Sequence, residues 1–358
     1  MKILYIGHYR DGTGWGNAAL NNILALDSAG VQVVPRAITY EHEDSDYPTR
    51  IKMLEAQSNA DCDIVIQHTL PSNYVYDSAY KNIGCLTLES SNFKSTGWQK
   101  HCNMMDEIWV SSKVTKRQVE NSGVIVPVKV VPYAIDLSKY ENPQGQKIQE
   151  LENSFTFGFV GEFIERKNIK ALVQAFHMEF AVREPVSLFV KTSKRDLNSV
   201  QGYFKHIRNG LKLRSNYKEE IVIAGMMPEK DYLSVLSQVD CFVMPSRGEA
   251  CCIPSLEAMA MGIPSIYTSG IGMDHATGIA VKSHDVPCFG AIETLTNLDT
   301  ADATWKEIDV LELCSTMRMM YESLREQKWD TSCKAAAEEY SYEKVGNKMK
   351  EILNDSQS

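Results

Sequence analysis

The chain has 358 residues and a formal net charge of −9, a balance that argues against a general polyanion binder. Its length exceeds what one hydrophobic core usually serves, so two domains are expected. Hydrophobic residues make up 44% of the chain, yet no apolar run reaches the roughly 18 residues of a membrane span. The composition therefore predicts a globular protein.

The amino-terminal stretch and the cysteines indicate the compartment. Met1 to Gly7 is too short for a secretory leader and is typical of a buried first strand. The nine cysteines form no C-x-x-C pair, and an odd number favours reduced thiols over a disulfide framework. A cytoplasmic location is expected from these features.

Short apolar runs alternate with helical patterns along the first half of the chain. This alternation is typical of βαβ units and predicts a parallel sheet. The predicted strands are Lys2–Ile6, Val31–Ile38, Asp63–Gln67, Ile83–Leu88, Glu107–Val110 and Val128–Val131, with helices that include Ala18–Ala29 and Lys113–Asn121.

The chain becomes polar between Asn142 and Gln146, which predicts a domain boundary near residue 145. The same alternation then resumes. The predicted strands are Phe155–Val160, Val186–Lys191, Ile221–Ala224, Cys241–Met244 and Ser265–Tyr267, followed by helices Val310–Gln327 and Tyr342–Leu353. The predicted fold class is α/β with two doubly wound, Rossmann-like domains, residues 1–145 and 146–335, and a last segment, residues 336–358.

A glycine-rich loop follows the first predicted strand. Gly14, Gly16 and Ala19 satisfy the G-x-G-x-x-A pattern of dinucleotide-binding turns. That turn is normally tight, whereas Gly14 lies seven positions beyond Gly7, and no acidic residue stands about 20 residues further on. An NAD-dependent oxidoreductase is therefore a weak alternative.

Two glutamates flank a predicted helix start between Ser246 and Gly262. Pro254 suits the first helical position and Gly262 a helix end, so Glu249 falls in the entering loop and Glu257 in the first turn. Carboxylates beside a helix amino terminus suit a ligand that carries both hydroxyls and phosphate, such as a nucleotide-sugar. The alternative is that Glu257 is only a favourable partner for the helix dipole.

The segment S-x-x-E, seven residues, then E-A-M-A-x-G-x-P resembles the E-x7-E signature of retaining glycosyltransferases of the GT-B fold, the family 4-like group 1 enzymes. The resemblance implies two domains facing a central cleft, with the terminal helix crossing back to the first domain. It assigns Glu249 to the donor sugar and Glu257 to the ribose, and it places Cys252 and Ile253 in the donor site. The family usually has Gly-Phe-Gly after the first Glu, whereas this chain has Ala250, Cys251 and Cys252.

The stretch from Gly161 to Asn168 resembles the G-R-x-x-x-x-K segment with which the family holds the donor diphosphate. Lys167 occupies the Lys position, while Glu162 replaces the family's Arg. Arg166 is predicted to supply the second cation, with Glu162 turned away. The resemblance also places the glycine-rich loop near the donor phosphates, which makes Gly14 and Gly16 candidates for close backbone approach.

Two residues of the first half compete for the acceptor side. His68 and Glu89 each follow a predicted strand, where parallel sheets place ligands. Either residue alone is more often a hydrogen-bonded structural group. The family often has His at the position of Glu89. Asp61 and Asp63 form a D-x-D pair, but they precede their strand, so no metal site is predicted.

The resemblance implies transfer of a sugar from a nucleoside-diphosphate donor to an acceptor hydroxyl, with retained anomeric configuration and without metal or other cofactor. A nucleotide-sugar epimerase of the same fold is the main alternative. A glycan or lipid-linked glycan acceptor is expected. The basic stretch Lys191–Lys218 is usually a solvated helix face, but it leaves a nucleic-acid acceptor or contact with an anionic membrane open.

Overall fold

The computed structural model describes residues 1–38, 47–194, 196–212, 216–289, 298–326 and 332–355. They form two compact units. Unit 1 comprises Met1–Asp136, Glu293–Ala303 and Glu338–Ser358, and unit 2 comprises Leu137–Ile292 and Thr304–Ala337. The domain boundaries at residues 145 and 335 stay predictions.

Unit 1 is built on a parallel sheet with the strand order β2-β1-β3-β4-β5-β6. Its strands are β1 (Lys2–Gly7), β2 (Gln32–Ala37), β3 (Ile64–His68), β4 (Lys81–Cys85), β5 (Glu107–Val110) and β6 (Val128–Val130). Its helices are α1 (Gly14–Ser28), α2 (Thr49–Glu55), α3 (Trp98–Cys102), α4 (Lys113–Asn121) and α11 (Tyr342–Asp355). Strands β3 and β5 are buried along their whole length, as expected for parallel strands covered on both faces.

Helix α11 packs on helix α1 and completes the core of unit 1. Val345, Met349 and Leu353 are buried in the cluster formed by the inner faces of β1 and α1. A methyl group added to Gly346 would come within 2.0 Å of the carbonyl oxygen of Ala25. The close approach of the two helices therefore depends on this glycine.

Unit 2 is built on a second parallel sheet with the order β12-β11-β10-β7-β8-β9. Its strands are β7 (Phe155–Val160), β8 (Val186–Thr192), β9 (Ile221–Ala224), β10 (Cys241–Met244), β11 (Ser265–Thr268) and β12 (Gly278–Val281). Its helices are α5 (Ile169–Glu179), α6 (Leu197–Leu211), α7 (Glu229–Leu236), α8 (Ile253–Ala260), α9 (Val310–Arg325) and α10 (Cys333–Ala337).

A separate antiparallel hairpin accompanies the second sheet. Strand β13 (Ser283–Pro287) pairs with β14 (Thr304–Ile308), with Val286 opposite Trp305. The residues between the strands include 298–303, which belong to unit 1, where Asp302 accepts a hydrogen bond of 3.0 Å from the Ser95 hydroxyl. No pattern in the sequence predicted this hairpin.

The predicted α/β fold with two parallel sheets is confirmed. The predicted segments Glu107–Val110, Lys113–Asn121, Phe155–Val160, Ile221–Ala224 and Cys241–Met244 have the observed ends. The prediction Ile83–Leu88 is wrong at both ends, because the strand pairs with β3 over Lys81–Cys85. Among the described residues, no helix has both the length and the apolar character needed to cross a bilayer.

Candidate active site

Two loops of unit 2 lie side by side because the strands that precede them are neighbours. Strands β7 and β10 pair in parallel, with Phe157 opposite Cys241, so the chain leaves both at the carboxyl edge of the sheet. The backbone N–H of Arg247 donates to the carbonyl oxygen of Arg166 at 2.7 Å, and the Ser246 hydroxyl donates to the same oxygen at 3.1 Å. These bonds join residues 161–168 to residues 245–252.

Glu249 is buried between two cations. Its side chain is 3% exposed, and Oε1 accepts hydrogen bonds from Lys167 Nζ at 2.7 Å and from Arg166 Nη1 at 3.3 Å. Burial would raise the pKa of Glu249, but the charges of Lys167 and Arg166 outweigh burial and hold the pKa below its ordinary value. The carboxylate is therefore ionised at neutral pH, and each charge in the cluster has a partner.

Gly161, in the segment before Lys167, lies close to the ring of Phe159 and to the side chain of Lys167. A methyl group on Gly161 would lie 2.9 Å from the ring of Phe159 and 3.7 Å from Lys167 Cδ. A larger residue at 161 would therefore press on Phe159. The side chain of Glu162 is exposed, and that it turns away from the cation cluster stays a prediction.

Helix α8 begins one residue before the predicted start. Cys252 is the N-cap, Ile253 is the first helical residue, and Pro254 follows in the first turn. The Cys252 thiol is buried, which raises its pKa to about 12 and keeps it protonated. Gly262, with φ of +88°, follows the end of the helix as predicted.

Glu257 lies one turn into α8, among phenol groups. Tyr232 donates a short hydrogen bond to Oε2, and Tyr140 donates to Oε1 at 3.3 Å. Burial raises the pKa of Glu257 to about 7, although both phenols favour the ionised form. Glu257 therefore titrates near neutral pH, unlike Glu249.

Several residues around the glutamates were not predicted. Arg247 is 7% exposed and bonds Glu307 at 2.6 Å. His275 is buried, and its Nδ1 lies 4.0 Å from the Sγ of Cys251. Burial lowers the pKa of His275 to about 4, so it is neutral, although Glu249 acts in the opposite direction. Arg247 lies within the S-x-x-E segment, beside Ser246, which was the available sequence signal, whereas Glu307 and His275 are distant along the chain.

His68 is the last residue of β3 in unit 1 and is buried. Its Nδ1 lies 2.8 Å from the Tyr5 hydroxyl, and its Nε2 has no hydrogen-bond partner. Burial lowers the pKa of His68 to about 3, so the ring is neutral at physiological pH. The rings of Trp15 and Tyr133 lie 6.2 and 6.1 Å away. The structure thus places His68 in an aromatic cluster at the carboxyl edge of its sheet.

Glu89, Gly14 and Gly16 of unit 1 lie at other places in the secondary structure than predicted. Glu89 does not directly follow its strand, because β4 ends at Cys85. Gly14 and Gly16 lie in the first turn of α1, which starts four residues before the prediction and is capped by Thr13. A methyl group on Gly16 would overlap Asp11 Oδ1 at 2.0 Å, whereas one on Gly14 would meet nothing within 4 Å. Gly16 therefore closely approaches residues of its own glycine-rich loop.

The basic stretch Lys191–Lys218 uses three of its cations internally. Lys191 Nζ donates to the Gly225 carbonyl at 2.7 Å, Lys218 Nζ donates to the Val186 carbonyl at 2.9 Å, and Arg208 pairs with Glu220. Arg195 and Arg214 lie outside the described residues. A nucleic-acid or membrane surface on this stretch stays a prediction.

The D-x-D pair lies at the amino edge of the first sheet, as predicted. Asp61 and Asp63 precede β3, and Asp63 Oδ2 accepts a hydrogen bond of 2.9 Å from the backbone N–H of Lys2. No group of three or more His, Cys, Asp or Glu side chains in the described ranges is arranged to hold a metal ion.

Two doubly wound units, each built on a six-stranded parallel sheet, define the GT-B fold. Solved structures share this fold over 99% of the chain. One is a glycosyltransferase from Rickettsia africae ESF-5, which is 13% identical; the match covers 98% of that protein, with a TM-score of 0.66. Another is the lipopolysaccharide outer core galactosyltransferase WaaB, which is 14% identical; the match covers 100% of that protein, with a TM-score of 0.65.

Sequence comparison finds similarity over part of the chain. Residues 154–295 match the family described as glycosyl transferases group 1. A stretch of 153 residues, 42% of the chain, is 27% identical to the O-antigen chain mannosyltransferase B of Escherichia coli and spans 38% of that enzyme. Residues 154–295 are thus similar to the group 1 glycosyltransferases, and the chain as a whole has the GT-B fold.

Proposed function

We propose that the protein transfers a sugar from a nucleoside-diphosphate donor to an acceptor hydroxyl, with retention of anomeric configuration. The observation that carries this proposal is the buried Glu249, held ionised between Lys167 and Arg166 beside helix α8. Such a cluster offers both a carboxylate for sugar hydroxyls and cations for phosphate.

The roles proposed for the site residues follow from the charges of their side chains. Lys167 and Arg166 would bind the donor diphosphate and stabilise the negative charge that grows on it as the glycosidic bond breaks. Glu249 would accept hydrogen bonds from sugar hydroxyls, and Glu257 from the ribose hydroxyls. The acceptor oxygen would bond to the anomeric carbon, and its proton would pass to an oxygen of the departing diphosphate.

The proposed reaction needs no metal, because two side-chain cations and the amino end of α8 supply the positive charge. Transfer is therefore expected to continue in excess EDTA. Full loss on chelation, restored by Mg²⁺ or Mn²⁺, would contradict this part of the proposal.

A glycan or lipid-linked glycan is the proposed acceptor. The names of the matched mannosyltransferase and of WaaB, which belong to O-antigen and lipopolysaccharide synthesis, favour this class. A nucleic-acid acceptor has less support, because the internal bonds of Lys191, Arg208 and Lys218 reduce the exposed positive charge of their stretch.

The donor can be identified by a thermal-shift screen with nucleoside diphosphates and their sugars, because a bound donor stabilises the folded protein by mass action. With the donor known, Glu249→Ala is expected to abolish transfer while diphosphate affinity stays nearly intact. Equal loss of both would mean that Glu249 only supports the loop. Conversion of the donor sugar without any acceptor would favour the epimerase.

A further inference from the structure

Strand β14 is fastened to the loop that carries Glu249. The backbone N–H of Lys306 donates to the Arg247 carbonyl at 2.8 Å, two residues before Glu249. The next residue of the strand is Glu307, whose side chain contacts both loops of the candidate active site.

Each carboxylate oxygen of Glu307 holds one of the two loops. Oε2 accepts from Arg247 Nε at 2.6 Å, in the loop of Glu249. Oε1 accepts from Asn168 Nδ2 at 2.9 Å, and Asn168 directly follows Lys167. Asn168 has φ of +49°, a left-handed conformation that needs support from its surroundings in a residue other than glycine.

Glu307 is the main neutralising partner of a buried cation. Arg247 is 7% exposed, and its second ion pair, to Glu165 Oε2 at 3.2 Å, involves a side chain that is 49% exposed. Without Glu307 the guanidinium would depend on this weaker, partly solvated pair and on the Glu165 carbonyl. Arg247 would then be drawn toward solvent, and the loop with Glu249 would move with it.

We infer that Glu307 is a positioning residue, which sets the distance between Glu249 and Lys167 from outside the site by binding Arg247 and Asn168 together. The inference rests on the proposed function. The two carboxylate oxygens of Glu307 accept from Asn168 and Arg247, neither of which has a proposed contact with the donor, so the effect of Glu307 on the reaction is indirect.

The test is Glu307→Gln, which keeps the size of the side chain but removes its charge and one acceptor. The control is Glu312→Gln on helix α9, which removes a carboxylate paired with Lys282 at 3.9 Å. Misplacement of catalytic groups by about 1 Å costs about 10²-fold in rate, so kcat of Glu307→Gln should fall by ~10- to 100-fold. The control should keep the wild-type kcat.

A second readout needs no activity. Cys251 is partly buried while the other eight cysteines are buried, so alkylation of Cys251, followed by peptide mass spectrometry, reports how firmly the loop is held. Glu307→Gln should label several-fold faster at Cys251, and Glu312→Gln should label at the wild-type rate.

The two readouts separate the two proposals. An equal labelling rate and an equal kcat per folded molecule in wild type and Glu307→Gln would overturn the positioning role. Wild-type protein that transfers no sugar would overturn the proposed function, and faster labelling in Glu307→Gln would still support the positioning of the loop. A purely structural role would lower the thermal midpoint without changing kcat or the labelling of the folded protein.

Discussion

Glu249 is one carboxylate between two cations, so the cluster keeps an excess of positive charge, and substitution of either cation removes that excess. Lys167→Ala is expected to lower kcat by roughly 10²-fold or more, and Arg166→Ala somewhat less, because charge on the leaving group grows toward the transition state. Steady-state rates with saturating donor measure the effect. The exposed Lys170 gives the matched control, since Lys170→Ala removes a neighbouring cation. A silent Arg166→Ala would mean that another cation assists Lys167.

The raised pKa of Glu257 predicts a pH dependence of stability. Its pKa is about 7 in the folded protein and near 4.5 when unfolded, so the folded state binds more protons between these values. The contribution of Glu257 is complete below about pH 4.5 and is lost as the pH rises through about 7, by up to ~1.4 kcal/mol per pH unit.

Urea unfolding at several pH values between 5 and 8 checks this. The free energy of unfolding of Glu257→Gln should fall less with pH than that of wild type, because the amide does not titrate. Glu312→Gln should keep the wild-type slope. Parallel slopes for wild type and Glu257→Gln would show that Glu257 is ionised throughout this range.

The sequence indicated those residues of the candidate site that lie within local motifs and missed their distant partners. Arg166, Lys167, Glu249 and Glu257 stand at motif spacings. Glu307, in contrast, lies 60 residues from Arg247 and 139 from Asn168, and only the pairing of β14 with the loop brings them together. The phenols of Tyr140 and Tyr232 reach Glu257 in the same non-local way.

At the scale of elements, the start of helix α1 offers a sharp comparison of two glycines. Gly16→Ala should destabilise the protein by more than ~1 kcal/mol, since its methyl group would overlap Asp11 and the His8 carbonyl. Gly14→Ala should be neutral or slightly stabilising, because the space is open and alanine favours a helix. Chemical denaturation of both variants measures the difference. Equal stability would mean that Asp11 moves aside without cost.

Buried parallel strands were predicted well because continuous apolar runs mark them. Hairpin β13–β14 was not predicted from the sequence, for a physical reason. Its strands Ser283–Pro287 and Thr304–Ile308 are short, largely polar on one side, and separated by 16 residues, so neither periodicity nor a turn motif joins them. The sequence pattern therefore does not predict strand β14, which carries the Arg247 partner Glu307.

At the scale of the whole molecule, unit 1 depends on helix α11, which is far from its sheet in sequence. Gly346→Leu should destabilise unit 1 by several kcal/mol, because a side chain at this position collides with the Ala25 carbonyl. Asn347→Leu, on the exposed side of the same helix, should have little effect. Hydrogen exchange can follow each unit separately. Increased exchange in unit 2 alone would contradict the packing described.

The division of unit 1 into separate segments also orders events during synthesis. The chain of unit 2 is complete at Ala337, roughly 200 residues after the amino-terminal segment of unit 1 ends at Asp136, whereas α11 comes last. At about 5–20 residues per second, the roughly 310 residues between α1 and α11 take roughly 15–60 s to make, and the apolar face of α1 lacks its cover for that time. During that interval the nascent chain presents a surface suited to a chaperone, and unit 2 can fold before unit 1 has its last helix.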